Sequence, residues 1–252
     1  MNILLTNDDG IYAKGLWALY HTLSRRHKVV VVAPDRERSA VGHGITIHQP
    51  LRFEKISVSE GHSGYALNGT PADCIKLGIL EIFDKKPDMV ISGINPGANV
   101  GININYSGTV AAAREAALYG VAAIAASKEG LDHRHYEEMA DFIEKLTEKL
   151  INAPLSPGTF LNVNFPDIPF RKSRGVLVNR HGTDILDEYF EVRTDTRERQ
   201  YYWHGCHTKN NFEHDDVDNT AISEKYISIT PIKCDVTDYN AINELKKWGI
   251  TV

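Results

Sequence analysis

Strand-length apolar runs and helical apolar stripes take turns along the first 165 residues of the chain. The stretches NILLT at 2–6, KVVVVA at 28–33, MVIS at 89–92, VAAIAAS at 121–127 and TFLNVNF at 159–165 are continuous or nearly continuous apolar runs. That is the pattern of strands covered on both faces, as in a parallel sheet. Between them, Leu16, Leu19, Tyr20 and Leu23 recur at helical spacing within 15–26, as do Met139, Phe142, Ile143, Leu146 and Leu150 within 136–150. NGTPADC carries a helix start in which Thr70 caps, Pro71 takes the first helical position and Asp73 completes a capping box. SGTVAAAREAALYG predicts another helix, with Ser107 or Thr109 near its start and Gly120 at its end. A strand pair is expected around 51–58 and 64–67. Strands alternating with helices in this way predict an α/β fold, a Rossmann-like three-layer sandwich with a mostly parallel sheet and right-handed crossovers.

From about residue 175 the pattern becomes polar, aromatic and extended. Residues 188–193 and 197–205 predict a β-hairpin, 225–232 a strand, and 239–248 a short helix with Ile242, Leu245 and Trp248 as its stripe. The expected organisation is a core over 1–175 and a C-terminal extension over 176–252.

Composition narrows the function. A formal charge of −5 and a pI near 6.1 provide no broad basic field, which argues against binding to a nucleic-acid duplex by phosphate neutralisation. Cys74, Cys206 and Cys234 form no CxxC or CxxH pattern, so neither a disulfide framework nor a structural zinc site is indicated. The N-terminus enters a strand without a basic and apolar leader, and no apolar run reaches the length of a membrane span. A cytoplasmic protein with no membrane partner is expected.

In an open α/β sheet, ligands bind outside the carboxyl ends of the strands. Sorted by that rule, Asn7, Asp8 and Asp9 follow the first strand, Asp35, Arg36, Arg38 and Ser39 the second, and Asn95, Asn99, Asn103, Ser107, Gly108 and Thr109 the run at 89–92. Asp8, Asp9, Ser39 and Asn95 together make a set of hard oxygen donors of the kind Mg²⁺ or Mn²⁺ prefers. An acidic pair after a strand also serves as a solvated turn or a cap. SGT at 107–109 opens a helix whose free N–H groups and dipole favour phosphate, although an ordinary Ser/Thr cap reads the same way. Four glycines in GINPGANVGININYSG favour a tight loop with amides directed inward.

Metal ligands facing an anion nest describe a phosphoryl-transfer pocket, with water the economical acceptor. Neither a P-loop nor a GxGxxG fingerprint is present. A haloacid-dehalogenase-type aspartyl nucleophile would need an acid where Gly10 stands. The alternative outside enzymes is a receiver-like or phosphate- or nucleotide-sensing module. It would need a phosphoacceptor Asp at a later strand end, where Asn95 stands instead.

NDDG at 7–10, APDRERSAVGHGIT at 33–46, NGTPADC at 68–74, SGINPGANVG at 92–101 and YSGTVAAAREA at 106–116, in that order and spacing, closely resemble the SurE family of survival phosphatases, which hydrolyse 5′- and 3′-nucleoside monophosphates. The likeness is strong to about residue 165 and weaker beyond, apart from SITPI at 228–232. The resemblance implies one divalent metal ion per subunit, Mg²⁺ or Mn²⁺, on Asp8, Asp9, Ser39 and Asn95. It implies phosphate contacts at Asn99, Ser107, Gly108 and Thr109, and catalytic roles for Asp8 and Asp9. It also implies a nucleoside monophosphate substrate, short polyphosphate as a further one, and a homodimer or homotetramer that exchanges its C-terminal part.

Overall fold

The computed structural model describes residues 1–58, 61–183, 187–207 and 214–250, with nothing said of the His207 side chain. The described residues form eleven strands and six α-helices in the order β1 (Asn2–Thr6), α1 (Lys14–Leu23), β2 (Lys28–Pro34), β3 (Phe53–Ser57), β4 (Ser63–Leu67), α2 (Pro71–Leu77), β5 (Met89–Pro96), α3 (Gly108–Leu118), β6 (Ala122–Lys128) and α4 (Tyr136–Asn152). There follow β7 (Thr159–Phe165), β8 (Val176–Val178), β9 (Asp187–Thr194), β10 (Gln200–His207), α5 (Asp218–Ser223), β11 (Ile227–Lys233) and α6 (Tyr239–Lys247).

Nine strands make one sheet in the order β3-β4-β2-β1-β5-β6-β7-β11-β8. The pairings β2 with β4, β1 with β2, β1 with β5, β5 with β6 and β6 with β7 are all parallel. The apolar runs fill this sheet because a strand under helices on both faces needs apolar side chains at successive positions. Alternation divides them: Ile3 and Leu5 pack with Leu16, Leu19, Met139 and Ile143, on the side of α1 and α4. Leu4 packs with Cys74, Ile75, Val110 and Ala113, on the side of α2 and α3. Three layers result, the α/β architecture that the sequence pattern predicts.

Residues beyond 175 add to this sheet as well as leaving it. β11 lies antiparallel to β7 with Ile229 opposite Val163, and β8 pairs parallel to β11. The β9–β10 hairpin is a separate antiparallel ribbon. Phe190, Tyr202 and Trp203 on it are exposed. β8 and α5 are absent from the sequence reading. β8 is three residues long and exposed, and α5 spans six residues opening on Asp218, Asn219 and Thr220. Neither carries enough periodicity to register.

The α2 capping box forms as expected. Asp73 N–H donates to Thr70 Oγ1 at 3.2 Å, and Thr70 N–H to Asp73 Oδ2 at 2.9 Å. Asp73, almost fully buried, also accepts the Thr46 N–H at 3.0 Å, tying the 35–50 loop to α2. Asp73→Ala should therefore cost about 2–3 kcal/mol, since it orphans two amides in a buried setting. Thr70→Ala removes only the cap, at about 1 kcal/mol. Urea denaturation of both variants checks the ordering, and equal losses would contradict it.

Candidate active site

Strand order reverses at β1, which has β2 on one side and β5 on the other. The carboxyl ends of β1 and β5 therefore flank a crevice of the kind that binds ligands in open α/β sheets. A cleft of ≈ 520 Å³ lies there, with Asp8, Asp9, Ser39, Asn95, Asn99 and Ser107 in its lining.

The turn after β1 is rigid. Asn7, fully buried, donates its amide to the Gly10 carbonyl at 2.9 Å and accepts the Gly10 N–H at 3.2 Å. Asp8 emerges beneath α3 with 5% of its surface exposed. Thr109 donates its N–H to Asp8 Oδ2 at 3.1 Å and its hydroxyl to Oδ1. Burial raises the proton affinity of Asp8, and the Thr109 and Gly108 donors oppose that rise. Gly108 is what lets helix and carboxylate approach: a Cβ there would lie 2.8 Å from Asp8 Cβ and 3.0 Å from Oδ2.

The structure divides the expected phosphate contacts. Thr109 is fully buried, both its donors are directed at Asp8, and neither it nor Gly108 lines the cleft. Ser107 and Asn99 do line it. Ser107 also caps α3 by accepting the Val110 N–H at 3.1 Å. The start of α3 is turned first toward a carboxylate of the protein itself, which satisfies the dipole in the way a phosphate would.

Asp9 has no such support. Its Oδ2 is enclosed and lacks a hydrogen-bond partner. Burial, then the charges of Asp8 and Glu37, push its pKa up to about 7. Ser39 is held beside it because the Arg38 N–H donates to the Asp8 carbonyl at 2.7 Å, and the Arg38 guanidinium donates to the Asn68 carbonyl at 2.7 Å. The Ser39 hydroxyl donates to Glu37. Asn95 lies just past a register shift between β5 and β6, where the pairing resumes with Asn95 opposite Ser127. Its amide N–H donates to the Gly97 carbonyl at 2.7 Å, which leaves the side-chain oxygen as its free donor of electrons.

The donor set thus comprises two carboxylates, a hydroxyl and an amide oxygen, with one carboxylate oxygen buried and unpaired. It fits a hard divalent cation, which would compensate that oxygen. Among the described residues, no group of three or more His, Cys, Asp or Glu side chains is placed to hold a metal, so the soft or imidazole-rich kind of centre finds no support there.

Sequence reasoning missed the residues that fix Asn99. The Asn99 N–H donates to Asn164 Oδ1 at 2.8 Å, its carbonyl accepts from Asn162 at 2.8 Å and Asn164 at 3.1 Å, and its side-chain amide donates to Ser127 Oγ at 2.8 Å. The signal was available: Asn162 and Asn164 alternate inside an otherwise apolar strand, a costly choice unless their amides are bonded. Glu37, Tyr106, Leu131 and His133 also line the cleft unforeseen. Lys128, fully buried at the end of β6, pairs with Asp132 at 2.7 Å and Asp167 at 3.1 Å and so holds the loop that carries Leu131 and His133.

Comparison with known proteins bears on this cleft. The family model described as Survival protein SurE matches residues 3–188. The chain is 50% identical over 250 residues to the 5′-nucleotidase SurE of Desulfatibacillum aliphaticivorans, covering 99% of each chain. It is 47% identical over 249 residues to the 5′-nucleotidase SurE of Heliobacterium modesticaldum, covering 98% of this chain and 92% of that one. The crystal structure of the SurE protein from Aquifex aeolicus superposes with a TM-score of 0.87 at 36% identity, over 99% of this chain and 100% of that one.

The Asp9 environment predicts a pH dependence in metal-free protein. Between its ordinary value and about 7, folded Asp9 keeps a proton that the unfolded chain has released. The Asp9 contribution to stability must then fall as pH rises through that window. Asp9→Asn removes this dependence. Thermal melts without metal should show the two proteins similar near pH 4 and the Asn variant the more stable at pH 8. A constant difference across that range would contradict the assignment.

Proposed function

The chain belongs to the SurE family, and from that premise we infer that it is a nucleotide phosphomonoesterase, a 5′-nucleotidase that converts a nucleoside monophosphate and water to nucleoside and phosphate. The observation that carries this reading at the level of residues is the pair Asp8 and Asp9. One is held by the start of α3, and the other is half-buried with an enclosed, unpaired oxygen, at the rim of a cleft formed where the strand order reverses.

Asp8, Asp9, Ser39 and Asn95 would hold one divalent cation, Mg²⁺ or Mn²⁺. Bound there, such an ion supplies Lewis-acid polarisation of a phosphate oxygen and charge neutralisation. The remaining work falls to the chain. Thr109 orients Asp8, and its two donors oppose the rise in proton affinity that burial causes. Asp9, whose carboxylate is not engaged by the start of α3, is the base for the attacking water. The water oxygen forms a bond to phosphorus as its proton passes to Asp9, the bond to the nucleoside oxygen breaks, and that oxygen takes a proton from solvent while Asp9 returns its own to the bulk. Ser107 and Asn99 on the facing loop bind the phosphoryl oxygens as charge gathers on them, each such donor contributing about 2–4 kcal/mol at most.

No helix of the described residues is long and apolar enough to cross a membrane, and a cytoplasmic location is consistent with that. The exposed aromatic side chains of the β9–β10 hairpin, the exposed Leu245 of α6 and the exposed Trp248 just after it support a homodimer or homotetramer built through residues 176–252.

Asp8→Asn and Asp9→Asn should each lower kcat/KM for AMP by about 100-fold or more in the presence of Mn²⁺, and Thr109→Val by about tenfold. Steady-state phosphate release checks the order. Near-normal turnover in both Asn variants, with metal still required, would overturn the assignment.

A further inference from the structure

Among the described residues, none beyond 175 lines the cleft, yet the extension reaches the loop that forms one cleft wall. That loop, residues 97–107, carries Asn99, Asn103, Tyr106 and Ser107. Its early part is fixed from the core: the Gly97 N–H donates to the Lys128 carbonyl at 2.8 Å, and Asn99 is held by Asn162 and Asn164. Its end is fixed as well, where the Tyr106 carbonyl accepts the Gly42 N–H at 2.9 Å. The middle depends on Asp218.

Asp218 is fully buried in the first turn of α5. Its Oδ2 accepts the Gly101 N–H at 3.1 Å, and its Oδ1 accepts the Gly182 and Asn219 N–H groups at 2.9 Å each. His181 Nε2 lies 3.0 Å from the Gly101 carbonyl and must donate to it, since a carbonyl only accepts. The Arg180 and Asp218 backbones are themselves paired: Arg180 N–H donates to the Asp216 carbonyl, and Asp218 N–H to the Arg180 carbonyl, both at 3.1 Å. Both backbone groups of Gly101 are therefore gripped by one knot of the extension. The fit excludes a side chain: Gly101 has φ +55°, and a Cβ on it would lie 2.8 Å from the Asn219 amide nitrogen.

A buried carboxylate is costly, and desolvation raises the pKa of Asp218 despite these three amides. A lone structural joint could be made without a charge. What this charge does is draw amides from three separate segments to one point, so that residues 101–105 cannot shift independently of the extension.

We propose that Asp218, with His181, is a positioning residue for the nucleotidase reaction: the extension sets the place of the cleft wall that carries Asn103, Tyr106 and Ser107 through its grip on Gly101. The proposal rests on the reading of the cleft as the nucleotidase site. It separates the two sides of that cleft, because Asp8, Asp9, Ser39 and Asn95 lie outside the gripped loop. Loss of the grip should disturb substrate and leave metal affinity in place.

The test uses the full-length protein and four variants: Asp218→Ala, Asp218→Asn, His181→Phe and His181→Gln. Glutamine can present its amide N–H where Nε2 stands, so His181→Gln serves as the conservative rescue. Two readouts are taken, kinetics with AMP and Mn²⁺, and hydrogen exchange of peptides spanning 97–107 without substrate. Asp218→Asn and His181→Phe should raise KM for AMP by about tenfold, with faster exchange in that peptide, since displacement of a binding wall by about 1 Å has effects of this size or greater. The Mn²⁺ concentration for half-maximal activity should stay within about twofold of the parent, and His181→Gln should restore KM to near the parent value. Should Asp218→Ala fail to fold, the His181 pair carries the test. Folded Asp218→Asn and His181→Phe proteins with parental KM and parental exchange would overturn the proposal, as would an equal loss of metal affinity and substrate affinity. Exchange that rises in the variants of a parent protein inactive on AMP would uphold the grip and sink the nucleotidase reading instead, so the two failures are distinguishable.

Discussion

Two adjacent carboxylates at the end of a buried central strand impose the constraint around which this molecule is arranged. Each lies in surroundings that raise its proton affinity, and each meets that difficulty differently. Asp8 is compensated from within, by a hydroxyl and an amide at the start of α3. Asp9 is left with an enclosed, unpaired oxygen. The asymmetry turns a repulsive pair into a divided site: one carboxylate held in place by donors of the protein, and beside it one whose enclosed oxygen calls for a proton or a cation. A protein selected only for stability would have little reason to keep the second. A protein that binds a divalent ion and moves a proton has every reason to.

The scaffold around the pair consists of short links that each fix one group. The Arg38 N–H on the Asp8 carbonyl sets Ser39, the shift in the β5–β6 register sets Asn95, and Asn162 and Asn164 set Asn99. Such links are placed on strands and helix ends, where packing limits movement, while the loops they secure present the chemistry. Asp218 extends the same logic to a segment distant in sequence, bringing a buried charge from α5 to a loop more than a hundred residues earlier.

Most of the sheet was legible because the physics is local. KVVVVA can scarcely be other than a covered strand, and NGTPADC writes its own cap, so β2 and α2 follow from sequence alone. The convergence of Asp8, Asp9, Ser39 and Asn95 followed from the same source, since strand order in a parallel α/β sheet sends those loops to one edge. What was not legible depended on tertiary partners. A free helix start favours any anion, and nothing in SGT says that Thr109 directs both its donors at Asp8. Asn162 and Asn164 were hidden in a strand whose apolar character dominated the reading. β8 is too short for periodicity, and it exists because β11 offers an edge to pair with. The role of Asp218 is invisible without the fold, for its three amide partners lie at 101, 182 and 219.

The central claim, that a divalent cation compensates Asp9 beside an anchored Asp8, is tested most directly by anomalous diffraction from crystals grown with Mn²⁺ and a phosphate mimic such as vanadate. The account predicts one strong manganese peak in contact with carboxylate oxygens of both Asp8 and Asp9, with the mimic against Ser107 and Asn99. An Asp8–Asp9 site without manganese, or manganese held elsewhere while vanadate still binds in the cleft, would contradict it.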